Sequence, residues 1–115
     1  MAEQPARSPD LRALDRIMDA LQHAERKHPG WHTDPVRQAA IISEEAGEVI
    51  QATLNMVEEA ERHESGMNRP DLEMKVIKEV AQTGAMALRY LINYERKLYA
   101  DANPAGQASP DQAAR

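Results

Sequence analysis

Glu44-Glu45-Ala46-Gly47-Glu48 gathers three carboxylates into little more than one helical turn. Glu45 and Glu48 are i, i+3, while Glu44 and Glu48 are i, i+4, so on a helix their side chains converge. No lysine or arginine stands three or four residues from Glu45 or Glu48 to offset the repulsion. A solvated acidic face is one reading of such a run; a bound cation is the other. Ile41, Ala52 and Met56 share the glutamate side of the helix, which is therefore not simply wet surface. Further along, Lys75, Glu79, Gln82, Met86 and Arg89 form a stripe at spacings of 4, 3, 4 and 3. If a hairpin sets Glu79 opposite Glu48, four carboxylates surround one cavity. Oxygen-only ligands of that kind suit Mg²⁺, or Mn²⁺, rather than zinc or copper. Lys75 and Arg89 flank the stripe, where they meet phosphate oxygens or snorkel at an amphipathic boundary. Trp31, just before the same helix as the glutamates, either stacks on a base or anchors packing. His23, His28, His32 and His63 are scattered over helix ends and loops and read as surface residues.

Three helices must position these groups. The first is predicted from about Pro9 to Lys27, with Ser8 as N-cap and proline at the first helical position. Leu11, Leu14, Ile17, Met18 and Leu21 make its apolar stripe, and His28-Pro29-Gly30 ends it. The second begins at Asp34-Pro35 and continues to about His63. Its main apolar face is expected to be Ala39, Ile42, Ala46, Val49, Ile50, Thr53 and Val57. The third is predicted from near Asp71 to about Ala100, with Val76, Ile77, Val80, Ala81, Gly84, Leu88 and Leu91 toward the core. No strand, repeat or glycine-rich phosphate loop is visible. The expected fold is all-α: a hairpin of two long helices plus an N-terminal helix, completing a four-helix-bundle-like core on dimerisation.

Composition narrows the partners. One domain is expected over residues 9–100, flanked by unstructured tails at 1–8 and 101–115. A net charge of −5 argues against a general nucleic-acid binder, although divalent cations can bridge an acidic protein to a polyphosphate. The absence of cysteine excludes thiolate metal sites and thiol nucleophiles. No apolar run approaches the ~18 residues of a membrane span, so no membrane role and a cytoplasmic location are expected. With no phenylalanine and one tryptophan, the core must be aliphatic. Roughly 90 folding residues leave apolar surface uncovered, Ile41, Met56 and Leu98 among it, and dimerisation would bury it.

The first motif in its setting, Ile41-Ile42-Ser43-Glu44-Glu45-Ala46-Gly47-Glu48-Val49, followed by Glu79-Val80-Ala81-Gln82, resembles the paired motif of the MazG-like all-α nucleoside triphosphate pyrophosphohydrolases. Their pattern is Glu-Glu-x-x-Glu on one helix and Glu-x-x-Asp on the next, and the resemblance covers about residues 10–98. It implies a Mg²⁺-dependent cleavage of a nucleoside triphosphate to the monophosphate and pyrophosphate, in a homodimer or homotetramer. Carried over by position, it makes Glu44, Glu45, Glu48 and Glu79 metal ligands, with Glu44 or Glu45 accepting the proton of the attacking water. Gln82 stands where the pattern has aspartate. An amide still offers a carbonyl oxygen to a metal, but it brings no charge and cannot act as a base. That departure sustains an alternative: a helical nucleotide- or protein-binding module without turnover. A di-iron carboxylate bundle needs two Glu-x-x-His pairs, and only Glu25-x-x-His28 fits, at the end of the first helix.

Overall fold

The computed structural model describes residues 6–62 and 68–104. Among them the chain is all-α, with α1 at Pro9–Lys27, α2 at Pro35–Arg62 and α3 at Arg69–Ala102. Each start follows from a local cap. The Ser8 hydroxyl accepts from the Leu11 N–H, and the Asp34 carboxylate accepts from the Val36 N–H at 2.9 Å. Asn68 accepts from the Asp71 N–H at 3.0 Å. Caps of this kind stabilise a helix by about 1 kcal/mol each. The Asn68 cap moves the start of α3 to Arg69, ahead of the expected Asp71. Pro70 is tolerated there because a first-turn N–H has no intrahelical partner to lose. At its other end α3 reaches Ala102, two residues into the stretch expected to be a tail. Within the expected N-terminal tail Arg7 pairs with Asp15 of α1 at 2.8 Å; residues 1–5 and 105–115, and His63 at the predicted end of α2, lie outside the described residues.

α1 and α2 both pack along α3, and not along each other. Ile17 of α1 meets Gly84, and Arg89 reaches back to His28, so α1 runs parallel to α3. A side chain at position 84 would come within 3.1 Å of Ile17 Cδ1, so glycine sets how closely these two helices approach. α2 runs antiparallel: Glu48 lies beside Glu79, while Ile41 and Ile42 pack by Ala85 and Met86. The core is centred on Leu21, Ala85 and Met86, with Ala20, Ala24, Trp31, Leu88 and Ile92 closing around it.

This arrangement corrects both expected faces. α3 is the central helix and has two seams. Ile77, Ala81 and Gly84 lie on the side shared with α1, where Gly84 meets Ile17, and Leu72, Glu79 and Met86 recur every seven residues along the other, where Glu79 meets Glu45 and Glu48 of α2. Val80 and Leu91, expected in the core, are exposed, Val80 lining an open groove beside Arg12, Ala13 and Ile17 of α1. On α2, Ile50 is 62% and Val57 48% exposed, and Ala39 is exposed as well. The glutamate side is the one that packs: Ala52 is buried, and Ile41 and Met56 are half-buried. Ile41 and Met56 are thus not uncovered surface, whereas Leu98 is. No helix among the described residues is long and apolar enough to cross a membrane.

Candidate metal centre

Following α2 at alternating steps of four and three gives Gln38, Ile42, Glu45, Val49, Ala52, Met56 and Glu59, all buried or half-buried. That is the spacing of a helix-packing seam, and Glu45 occupies one of its positions. Glu79 occupies the equivalent place on α3 and is only 5% exposed. Carboxylates in such positions lose hydration that apolar neighbours cannot replace.

Glu45, Glu48 and Glu79 each bring a carboxylate oxygen within 4.8 Å of the other two. Glu45 Oε2 and Glu79 Oε2 are buried without a hydrogen-bond partner. Glu79 Oε1 is paired with Lys75 Nζ at 3.0 Å, and the Thr83 hydroxyl donates to the Glu79 carbonyl at 2.9 Å. Three acids and one contacting ammonium leave the cluster short of positive charge. Burial pushes the Glu45 carboxyl above its usual range, and the neighbouring charges of Glu48, Glu79 and Glu44 push it further. Glu48 is raised chiefly because it shares a hydrogen bond with Glu79 and faces its charge. Glu79 is lowered, chiefly by its hydrogen bond to Lys75 and against the effect of its own burial. The cluster is therefore strained toward taking up a proton or a cation. Its two unpartnered buried oxygens fit a hard divalent ion, which takes oxygen donors of this type.

The expected site residues divide into three groups. Glu45, Glu48 and Glu79 come together. Glu44 is exposed and outside that group, while Gln82 is half-buried one turn beyond Glu79. Lys75 touches the cluster. Arg89, ten residues beyond Glu79, is about 15 Å farther along the helix at ~1.5 Å per residue. Its Nη2 donates to the His28 carbonyl at 2.6 Å, and its guanidinium lies 4.7 Å from the centroid of the Trp31 ring. Burial lowers its pKa, opposed by the charge of Glu25. Trp31 packs against the core with its indole N–H buried and unpartnered. Comparisons with family models, curated proteins and solved structures gave no match.

Two buried polar residues strap the connector between α1 and α2, and the sequence reading missed this role for both. Arg89 holds its first residue, His28, and the Gln38 amide donates to the His32 carbonyl. The signal for Gln38 was its place four residues before Ile42 in the α2 seam. For Arg89 none was available, since its partner lies 61 residues away.

The cost of burying Glu45 gives a stability test. An acid whose folded pKa is raised destabilises the folded state once the pH exceeds its unfolded value, about 4.3 for glutamate, and the loss grows until the pH passes the folded pKa. In chelator at pH 7.5, Glu45→Gln is therefore expected to raise the melting temperature by a few degrees, with the gain fading as the pH falls toward 4. Thermal denaturation followed by circular dichroism checks it. A variant that melts lower than wild type at pH 7.5 would show that the carboxylate is not under strain.

Proposed function

We propose that the chain is a Mg²⁺-dependent nucleoside triphosphate pyrophosphohydrolase of the MazG-like kind, cleaving an NTP or dNTP to the monophosphate and pyrophosphate. The observation that carries the reading is the pair of unpartnered carboxylate oxygens that Glu45 and Glu79 bury in the α2–α3 packing seam. Burial and like-charge neighbours that perturb titratable groups are the arrangement that functional sites use. The motif spacing supplies the reaction class.

In this reading Glu45, Glu48 and Glu79 hold the cation, with Gln82 as a neutral neighbour. A bound divalent ion offsets the triphosphate charge and lowers the pKa of water. Glu44 or Glu45, whichever is not fully engaged with the metal, would accept the proton of the attacking water. Lys75, one turn from Glu79 and half-exposed, is placed to meet phosphate oxygens. The test is pyrophosphate release across a panel of NTPs and dNTPs with Mg²⁺ or Mn²⁺. Turnover of at least one nucleotide is expected, and none with either metal would leave the second reading. That reading, a nucleotide- or protein-binding module without turnover, is favoured by Gln82 in the place of an acid.

The proposal includes a homodimer. Leu11, Leu14 and Met18 on α1, Ile50, Leu54 and Val57 on α2, and Val80 and Leu91 on α3 all remain exposed. So much uncovered aliphatic surface on a small domain is characteristic of an unsatisfied interface. Light scattering at micromolar concentration is expected to give at least twice the chain mass of 12.9 kDa. A stable monomer would contradict this part of the proposal.

A further inference from the structure

The three carboxylates already have a cation. Lys75 Nζ sits 3.0 Å from Glu79 Oε1, and it is the ion-pair partner that the cluster has among the described residues. The two ends of this pair differ in surroundings: the Glu79 side chain is 7% exposed and that of Lys75 56%. Lysine ahead of glutamate at i, i+4 is also the weaker orientation for stabilising a helix, so helix support does not account for the contact. The ammonium lies at the edge of a buried acidic cluster, on a flexible stem with open solvent to swing into.

We propose that Lys75 is a built-in competitor for the divalent cation, neutralising Glu79 in the metal-free protein and giving way when an ion binds. This deepens the metal reading above and rests on it. The consequence is a raised threshold for metal. An ion must displace the ammonium from Glu79 Oε1 before it can use both oxygens of that carboxylate. Glu79 Oε2, buried and unpartnered, is the place where binding can begin. Once displaced, Lys75 remains within one helical turn of the site and free to contact phosphate. Lys78 also lowers the pKa of Glu79 through its charge, but it makes no ion pair with Glu79, so the two lysines separate contact from general charge.

The test is isothermal titration of nucleotide-free protein with Mn²⁺, comparing wild type, Lys75→Met, Lys75→Arg and Lys78→Met. Helicity by circular dichroism confirms that each variant folds. The expected result is binding about three- to tenfold tighter in Lys75→Met, affinity near wild type in Lys75→Arg, and a smaller gain in Lys78→Met. Wild-type binding that Lys75→Met leaves unchanged or weakens overturns the competition while leaving the metal site standing. Equal gains in Lys75→Met and Lys78→Met also overturn it, since net charge would then suffice. No binding in any of the four proteins overturns the metal reading and the inference together.

Discussion

Glu79→Gln is expected to lower Mg²⁺-dependent pyrophosphate release by at least about 100-fold, the scale on which removing one preorganised electrostatic group acts at a reacting centre. The amide keeps the volume of the side chain and loses the charge. Glu79 is the most buried of the three acids and the one both Glu48 and Lys75 contact. Its loss removes the negative charge that a cation would meet deepest in the seam. Folding should survive. The substitution breaks the contact with Lys75, but it also relieves repulsion with Glu45 and Glu48. Unchanged helicity and a melting temperature within a few degrees of wild type are expected alongside the lost activity. Glu44→Gln should act far less, because Glu44 is exposed and outside the cluster. Equal damage from the two substitutions would mean that the site is assembled differently.

Arg89→Ala is expected to act in the opposite sense, on stability. Arg89 is 7% exposed, its Nη2 donates to the His28 carbonyl, and its guanidinium covers one face of Trp31. A hydrogen bond to a charged donor contributes about 1.5–3 kcal/mol, and a partly desolvated cation–π contact about 0.5–2 kcal/mol. Truncation also leaves the His28 carbonyl without this donor and a gap beside Trp31. A loss of about 3 kcal/mol follows, enough to lower the melting temperature by more than about 10 °C in a domain of this size. Trp31 is the single tryptophan, so its emission reports the change directly and should shift to the red. Arg89→Lys should recover only part of the stability, since an ammonium lacks the planar fork that reaches a carbonyl and covers a ring together. If Arg89 served phosphate alone, the variant would keep the wild-type melting curve and lose nucleotide affinity.

Fold class, the three helices and two of their three caps were legible in the sequence, because Ser8-Pro9 and Asp34-Pro35 carry their signals within three residues. The third helix was expected near Asp71 and starts at Arg69, because Asn68 caps it and Pro70 is tolerated in the first turn. The faces were harder. Sorting α2 by hydrophobicity put Ile50 and Val57 in the core and Glu45 outside, but packing follows the four-three seam from Gln38 to Glu59, which accepts two glutamates and leaves two aliphatics exposed. On α3 a single apolar face was expected, and the helix has two seams because it lies between both neighbours. No composition rule tells a central helix from an outer one. For the candidate site, spacing was enough to bring Glu45, Glu48 and Glu79 together. Neither the exclusion of Glu44 nor the strap formed by Arg89 is encoded locally, since each depends on how α2 and the connector dock on α3.

Calorimetric titration of the metal-free protein and its Glu79→Gln variant with Mn²⁺ is the sharpest test of the proposal that Glu45, Glu48 and Glu79 hold a divalent cation. Saturable binding of about one ion per chain is expected in the wild type, weakened at least about tenfold in the variant. Equal affinity in the two proteins, or no binding by the wild type at millimolar Mn²⁺, would contradict it.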